Sequence, residues 1–267
     1  MVTPYWYRPG KEPGKENALT PASVYAEMAR SAVVLLGETH DRAGIHRWQL
    51  HVAAGLLAHR PLVMGFEMFP ARLDHVLSDY VAGRLDEATF LDKAEWGTVW
   101  GFPAELYLPI FRFCRETGTP MLGLNCRRGL VSEVGKGGWD NVPEADREGL
   151  TPARPSPEAY RRFIFDLTGG VRPGRKAMDA MDTSFDAFIR AQEVWDCAFA
   201  TRLAAAVRPE GPLLVGIIGQ GHLKYGGGVP WQLRDFGVDN ACVAVTDQIS
   251  DPIQPEGSAD FVYRLPE

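Results

Sequence analysis

The sequence predicts an α/β protein with a mainly parallel sheet flanked by helices and a smaller helical insertion. Two observations support this fold class. Short apolar runs bounded by Gly or Pro alternate with helix-like segments, and a long stretch without a convincing strand separates the third run from the fourth. The chain has 267 residues, of which 45% are hydrophobic, so it is large enough to bury the core that such a sheet requires.

The apolar runs have the length and the Val, Ile and Leu content of strands that are buried on both faces. Helix-like segments lie at 45–59 after the first run, and at 73–81 and 104–116 after the second. Because strands and helices alternate, we expect right-handed crossovers between parallel strands. The five predicted strands span residues 32–36, 62–66, 121–124, 213–218 and 241–245.

The stretch between the third and fourth predicted strands contains two amphipathic helical segments, at 157–167 and at about 177–207. We therefore expect this stretch to be an insertion into the α/β fold. The predicted boundaries assign residues 1–125 and 210–267 to the core domain and residues 126–209 to the helical insertion.

The longer of these predicted helices has an apolar face that also contains the polar side chain of Gln192, and Asp196 lies alongside that face. Residues 169–175 and the tail after Ser250 have a loop-like composition. The residues that step by three or four along the face are Met181, Phe185, Phe188, Gln192, Trp195, Phe199 and Leu203.

Composition argues against several classes of protein. The net charge is −6 and the chain has no clustered basic stripe, so we expect no nucleic-acid partner. No apolar run reaches 18 residues, so we expect no transmembrane segment. The N-terminus lacks the apolar region of a secretory leader, which predicts a cytoplasmic protein if the chain is native as given. The four cysteines form no CxxC pair and are expected to be buried thiols.

Polar side chains follow four of the predicted strands, at the point where each strand ends. In an open parallel sheet, ligands bind outside the carboxyl ends of the strands, where helix N-termini and loop backbone converge. We therefore expect these side chains to form one pocket. The first strand ends in Glu38 and His40, the second in Glu67, the third in Asn125 and Arg127, and the fourth in Gln220 and His222.

Three further residues on predicted helices are expected to face the same pocket. His46 lies one turn from Gln49 on the first helix, and Gln192 and Asp196 lie on the long helix. His51, His59 and His75 are interpreted as surface or packing residues. The complete pocket prediction is Glu38, His40, His46, Glu67, Asn125, Arg127, Gln192, Asp196, Gln220 and His222.

Each of these residues also has an ordinary structural interpretation. Glu38 or Asn125 alone could cap a helix, and His40 or His222 alone could be a hydrogen-bonded structural histidine. Glu67 is more informative, because the segment VMGFEMF surrounds it with apolar residues. A carboxylate in such surroundings must be paired, metal-bound or protonated.

Common catalytic signatures do not occur in this sequence. It contains no HExxH, P-loop, GxSxG elbow or Gly-rich dinucleotide fingerprint, which excludes several frequent enzyme classes.

Seven short motifs nevertheless resemble, in their combination and order, the ChaN-like haem-binding proteins. That family belongs to a superfamily that also includes the Tiki proteases and the erythromycin esterases. The resemblance covers about residues 30–235. The motifs are GETHD (37–41), HxxQ (46–49), GFEMF (65–69), Trp96 with YLPI (107–110), GLNxR (123–127), QxxWD (192–196) and GQGH with GGVP (219–230).

This resemblance implies an α/β core, haem bound by a homodimer, a tyrosine iron ligand and a role in haem or iron uptake, storage or transfer. Tyr107 and Tyr225 are the candidate ligands nearest to the motifs. Phenolate suits ferric iron because it is a hard anion. Relatives of this kind are often lipoproteins, so removal of a leader would make the protein membrane-anchored or periplasmic instead of cytoplasmic.

The resemblance also suggests how haem would be held. Arg127 or Arg128 would pair with a propionate. Four aromatic residues would either line an apolar slot for the macrocycle or belong to the core: Trp96, Trp100, Phe102 and Phe111.

Two alternatives to a non-enzymatic haem-binding protein remain open at this stage. The first is a hydrolase, in which Glu38, His40, Glu67 and His222 act as general base or bind a divalent metal through His40, His222 and Glu67. The second is a binding protein for another small anionic ligand.

Overall fold

The computed structural model describes residues 4–11, 17–169, 171–172 and 175–266. Its strands are β1 (Tyr5–Tyr7), β2 (Val33–Glu38), β3 (Leu62–Pro70), β4 (Met121–Asn125), β5 (Val171–Arg172), β6 (Arg175–Lys176), β7 (Leu213–Gly219), β8 (Ala241–Gln248) and β9 (Phe261–Leu265). Its helices are α1 (Pro21–Met28), α2 (Ala43–Leu57), α3 (Asp74–Val81), α4 (Glu87–Lys93), α5 (Trp96–Val99), α6 (Leu108–Thr117), α7 (Arg128–Gly137), α8 (Glu158–Thr168), α9 (Asp186–Ala206) and α10 (Gly228–Asp235).

Seven of the described strands form one sheet, in the order β1, β9, β8, β2, β7, β3, β4. β1 runs antiparallel to β9, and every other neighbouring pair in this sheet is parallel. β5 and β6 pair separately as an antiparallel hairpin. The predicted α/β class, with a mainly parallel sheet flanked by helices, is confirmed.

Helices cover both faces of the sheet, which explains why the central strands are apolar on both faces outside their carboxyl halves. Side chains of β2 alternate between two cores, because successive residues of a strand point to opposite faces. Val34 and Leu36 belong to the core shared with α1, α2, α3, α4 and α6. Val33 and Leu35 belong to the core shared with α7, α9 and α10. The connections that follow β2 and β3 therefore lie on the opposite face from the connection that follows β7, and a crevice opens where they diverge.

Each of the five predicted strands is present, and the helices predicted at 45–59, 73–81, 104–116 and 157–167 correspond to α2, α3, α6 and α8. Residues Ala104–Leu106 form a separate 3₁₀ turn before α6. The ends otherwise differ by a few residues.

The tail after Ser250 is not entirely loop, which corrects the prediction from composition. Residues Phe261–Leu265 form β9, which pairs with β8 on one side and with β1 on the other. The strand is short and follows a turn-rich segment, so its alternation is hard to recognise in sequence. Phe261 and Val262 are nonetheless buried, one in each core.

The long helix also begins later than predicted, at Asp186 instead of about residue 177. The Asp182 carboxylate accepts hydrogen bonds from the backbone N–H groups of Met178 (2.9 Å) and Ser184 (2.8 Å). This local capping favours a turn over helix. Met181, predicted on the apolar face of the helix, lies outside it and is 53% exposed.

The segment between β4 and β7 is mainly helical in its described residues. α7 and α9 pack against the sheet within the second core, whereas α8 and the start of α9 share a small third core. The predicted boundary between a core domain and an insertion stays a prediction. None of the described helices is both long and apolar enough to cross a bilayer. All four cysteines are free and buried.

Candidate functional site

The polar residues that end the central strands converge at the crevice. Glu38 is the last residue of β2, Glu67 lies in the carboxyl half of β3, and His222 follows β7 directly. One ligand atom each of Glu38, His40 and Glu67 lies within 4.8 Å of the others. Glu67 Oε1 is 3.7 Å from His222 Nε2. We refer to Glu38, His40, Glu67, Asp196 and His222 as the acid–imidazole cluster.

Glu38 and His40 form the first carboxylate–imidazole pair of the cluster. Glu38 Oε1 accepts hydrogen bonds from His40 Nδ1 (2.7 Å) and from the Tyr107 hydroxyl (3.0 Å). Its other oxygen lies 3.2 Å from Nδ1 of His46, which is buried. His46 Nε2 in turn donates to the His40 carbonyl (3.0 Å). The first turn of α2 and the start of α6 thereby fix the position of Glu38.

Asp196 and His222 form the second pair. Asp196 Oδ1 accepts from His222 Nδ1 (2.6 Å), and Oδ2 accepts from the Tyr160 hydroxyl (2.9 Å). Asp196 is fully buried on α9, and Gln192, one turn earlier, donates to Tyr160 (3.3 Å). The predicted face of the long helix therefore reaches the site through these two polar residues.

Glu67 lies between the two pairs and is 6% exposed. Its Oε2 accepts the backbone N–H of Gly219, and its carbonyl accepts from the Asn125 side-chain amide (2.8 Å). A Cβ on Gly219 would lie 3.0 Å from His40 Cε1 and 3.3 Å from Glu67 Oε2. The absence of a side chain at Gly219 leaves room where the imidazole and the carboxylate meet.

Burial and charge act in opposite directions on the two imidazoles. Burial lowers the pKa of His222, but the charge and hydrogen bond of Asp196 and the charge of Glu67 together raise that pKa above its ordinary value. Burial also lowers the pKa of His40, which the hydrogen bond of Glu38 and the charges of Glu67 and Glu38 raise above its ordinary value.

Burial dominates for the carboxylates. It raises the pKa of Glu67, although the charges of His222 and His40 act against it. It likewise raises the pKa of Asp196 against the charge and hydrogen bond of His222. The raised pKa values mean that His40, Glu67, Asp196 and His222 retain their protons more strongly than isolated side chains do.

Two predicted pocket residues have partners at the edge of the site or outside it. The Gln220 side chain donates to the Thr39 hydroxyl (3.0 Å) at the rim. The Arg127 guanidinium pairs with Glu133 on α7 (2.9 Å). Arg128 donates to the Val99 carbonyl (2.8 Å) and is exposed. Contact of either arginine with a haem propionate stays a prediction.

The candidate aromatic residues divide into two groups. Trp96 and Phe111 are buried in the first core. Trp100 and Phe102 are partly buried and pack against the His40 ring, with centroid separations of 4.7 and 5.1 Å. They form an aromatic wall on the outer side of the first pair.

The two candidate tyrosines differ in environment. Tyr107 is fully buried, and burial and the charge of Glu38 strongly raise the pKa of its hydroxyl. Tyr225 is only partly buried and packs against Phe163 of α8, with a centroid separation of 5.1 Å. Its φ of +58° is in the left-handed region, where a residue other than Gly is uncommon.

Sequence reasoning did not identify Tyr160, which is fully buried and holds Asp196 in place. The three consecutive glycines Gly226–Gly227–Gly228 in the sequence indicate that another part of the chain packs closely there, and Tyr160 belongs to that part. A Cβ on Gly227 would overlap the Tyr160 ring, and a Cβ on Gly228 would overlap the His222 carbonyl. The glycines are therefore required by the close approach of α8 and α10 to the loop that carries His222.

The geometry assigns the ring protons. An ionised carboxylate carries no proton, so His40 and His222 each donate through Nδ1 to their carboxylate partners. Their Nε2 atoms are then free to accept a proton, and that of His222 faces Glu67. Two bases beside a buried carboxylate are suited to acid–base chemistry or to recognition of a polar group.

Comparison with solved structures supports the fold assignment. A structure described as cofacial heme binding to ChaN of Campylobacter jejuni is similar over 97% of this chain and 96% of its own, with a TM-score of 0.71 and 16% identity. The type III effector HopBA1 is similar over 98% and 97%, with a TM-score of 0.52 and 12% identity. At these identities the similarity concerns the fold. No curated protein matches the sequence.

The fold and the cluster define an α/β protein with a polar site at the carboxyl edge of a parallel sheet. The sequence profile described as haem-binding uptake, Tiki superfamily, ChaN matches residues 24–233, which is more than half of the chain. The chain belongs to this family, as the seven motifs predict.

Proposed function

We propose that this protein binds haem on the surface beside α8, with Tyr225 as the iron ligand. The observation that carries the proposal is a group of exposed apolar side chains on and around α8, one of which, Leu167, lies close to that tyrosine. Among the described residues, the large hydrophobic side chains that are exposed are Leu167 (57%), Met178 (82%), Met181 (53%) and Ile253 (38%). Three of these four lie between residues 167 and 181.

Contacts of α8 bring Leu167, one member of this apolar group, near Tyr225, and hold Met181 beside the start of the same helix. Leu167 lies one turn after Phe163, the residue on which the Tyr225 ring packs. Leu167 Cδ2 is 3.3 Å from the position of a Cβ on Gly221, beside His222. Arg161, also on α8, donates to the Asp182 carbonyl (3.2 Å), which keeps Met181 next to this helix. A flat macrocycle covering these side chains would remove apolar surface from water.

Tyr225 suits the role of iron ligand better than Tyr107. A phenolate is the form that binds ferric iron, and the buried position of Tyr107 beside Glu38 raises its pKa and disfavours that form. The left-handed backbone at Tyr225 stores about 1–3 kcal/mol of strain, which is typical of functional positions. When bound, haem would supply a ferric centre held at low potential by the phenolate, a state suited to storage or transfer.

Titration with hemin tests this proposal. We expect a saturable, shifted Soret band and a phenolate-to-iron charge-transfer band in the wild-type protein. Tyr225→Phe should abolish the charge-transfer band and weaken binding at least about tenfold, whereas the matched variant Tyr107→Phe should retain both. A wild-type spectrum identical to that of free hemin, or full binding by Tyr225→Phe, would refute the proposal.

A second candidate function, general acid–base hydrolysis, is supported by the arrangement of the cluster. His222 Nε2 lies 3.7 Å from Glu67 Oε1. When His222 Nε2 removes a proton from water, the ring becomes an imidazolium, which the negative charge of Asp196 stabilises. Glu67, whose pKa is raised by burial, would hold or return a proton. A divalent cation, if one takes part, would be held by Glu38, His40 and Glu67, and would polarise a bound water.

Ester hydrolysis tests the second candidate. With p-nitrophenyl acetate as the probe, Glu67→Gln and His222→Gln should each lower the rate at least about 100-fold. His75→Gln removes an exposed imidazole outside the cluster and should leave the rate unchanged. Equal rates for the wild type and Glu67→Gln would exclude this function, and metal analysis of the active protein would decide whether a cation takes part.

A further inference from the structure

A cavity of about 730 Å³ lies beside the acid–imidazole cluster, at the same edge of the sheet. Its walls are the carboxyl ends of β2, β8 and β9 and the first turns of α2. No residue of the cluster lines it. The hydrogen bond between Gln220 and Thr39 (3.0 Å) belongs to its wall, and His40 and His222 follow these two residues in the chain. Cavities of this size commonly bind small molecules.

One end of the cavity offers unpaired positive charge. Arg42 and Arg47 both line it, and neither has a carboxylate partner among the described residues. Arg47 Nη2 lies 3.8 Å from the position of a Cβ on Gly44, so its guanidinium lies over the first turn of α2. That turn has no acidic residue and no side-chain cap, so the backbone N–H groups of Ala43 and Gly44 remain available to an anion.

None of the acidic residues of the lining forms an ion pair with Arg42 or Arg47. Asp247 is bound through both oxygens to Arg264 (3.1 and 2.6 Å), and it also accepts from the Tyr7 hydroxyl. Asp251 accepts the backbone N–H of Gln248 (2.8 Å). Asp41 is exposed. The two guanidinium groups therefore share the lining with two exposed carboxylates, those of Asp41 and Asp251, and neither carboxylate forms an ion pair with them.

The lining of the cavity includes two aromatic side chains, Trp48 and Tyr263. The rings of Trp48 and Tyr263 lie almost parallel, at 19°, with centroids 6.2 Å apart. Trp48 is 3% exposed, and its indole N–H has no acceptor among the described residues.

We propose that this cavity binds a small organic anion with a flat apolar body. Its carboxylate or phosphate group lies at the first turn of α2 beside Arg47, and its body packs along Trp48 and Tyr263. This ligand is separate from haem and from any substrate of the acid–imidazole cluster. Carboxylate and phosphate share the same recognition by guanidinium and helix N–H groups.

Isothermal titration of the full chain tests the proposal with 1-naphthoate, 1-naphthyl phosphate and the neutral 1-naphthalenemethanol. We expect saturable binding of at least one of the anions, and binding of the neutral compound at least about tenfold weaker. The stronger of the two anions identifies the acidic group that the cavity prefers. Arg47→Ala should weaken anion binding by at least about tenfold.

Arg30→Ala is the matched control, because Arg30 is exposed but precedes β2 and so lies at the opposite edge of the sheet. It should leave affinity within about twofold of the wild type. The proposal is overturned if neither anion binds, if the neutral compound binds equally well, or if Arg47→Ala has no effect. Displacement of the anion by one equivalent of hemin would also overturn it, because the cavity would then belong to the haem site. The hemin titration of Arg47→Ala itself should match that of the wild type.

Discussion

Each imidazole of the acid–imidazole cluster has a carboxylate of its own, and Glu67 lies between the two pairs. Sequence reasoning could select Glu38, His40, Glu67 and His222 because parallel strands end at one edge of a sheet. The structure brings these side chains together, although their functional role stays a prediction.

Tyr160 and Arg127 show where such reasoning fails at the scale of the residue. Tyr160 reaches Asp196 from a helix whose position depends on tertiary packing against the glycine run, and a single sequence does not reveal that packing. Arg127 follows a strand end, as predicted, but Glu133 lies close enough to bind its guanidinium. Local ion pairing therefore competes with pocket formation.

Gly219→Ala tests the space between His40 and Glu67. The backbone at Gly219 (φ −54°) accepts alanine, so any effect arises from the Cβ contacts at 3.0 and 3.3 Å. We expect the free energy of unfolding to fall by about 1–3 kcal/mol, measured by urea denaturation. In Gly97→Ala a Cβ would meet no atom within 4 Å, so this control should be neutral or more stable by up to about 1 kcal/mol. Equal effects of the two substitutions would contradict the assigned packing.

The raised pKa values of His40, His222 and Glu67 predict how stability depends on pH. A group with a raised pKa binds its proton more strongly in the folded state, so its stabilisation is present below the pKa of the unfolded chain and is lost as pH rises through the folded value. For the histidines that loss begins at about pH 6.5. We therefore expect the contribution of His40 and His222 to the free energy of unfolding to decrease as the pH rises from about 6 to their raised pKa values.

Asp196→Asn should reduce this dependence, because it removes the charge that raises the pKa of His222. NMR titration of the His222 ring should give a lower pKa in the variant than in the wild type. Urea denaturation across the same pH range should show a smaller decrease in stability. An unchanged His222 pKa would mean that the Asp196 contact does not control this imidazole.

At the scale of the element, the long strands and helices follow from apolar periodicity, and the short or capped ones do not. Apart from polar residues in their carboxyl halves, the five strands predicted from the sequence are apolar, because helices cover both faces of the sheet. β9 was not predicted because it is short. It lies between β1, which is antiparallel to it, and β8, which is parallel to it. The start of α9 is delayed because Asp182 caps a turn that periodicity alone would assign to the helix. The cavity beside the acid–imidazole cluster could not be predicted from the sequence, because β9, which forms part of its wall, was not predicted.

The exposed apolar surface of α8 is predicted to contribute to hemin binding. Leu167→Asp places a charge in the exposed apolar group and should weaken hemin binding at least about tenfold. Because Leu167 is 57% exposed, the free energy of unfolding should change by no more than about 0.5 kcal/mol. Spectroscopic titration and urea denaturation measure the two effects. Ala88→Asp adds the same charge at an exposed position of α4, a helix that packs on the first core, and equal loss of hemin affinity in this control would count against a specific surface at α8.

At the scale of the whole molecule, we infer that haem joins two copies of the chain. The apolar group beside Tyr225 is open to solvent, so a haem bound there would keep one face exposed unless a second copy covers it. We expect light scattering to give a mass near twice 29.5 kDa once hemin is bound. The Leu167→Asp variant should remain at the monomer mass under the same conditions. A saturated hemin complex of the wild type that remains monomeric would refute pairing while leaving haem binding intact.

The location of iron in the hemin complex tests the central claim most directly. A crystal structure with anomalous scattering at the iron edge would give that position without assumptions about the ligand. The account predicts iron at the Tyr225 hydroxyl, with the macrocycle over Leu167 of α8. Iron in the cavity beside Trp48, or between His40 and His222, would contradict it.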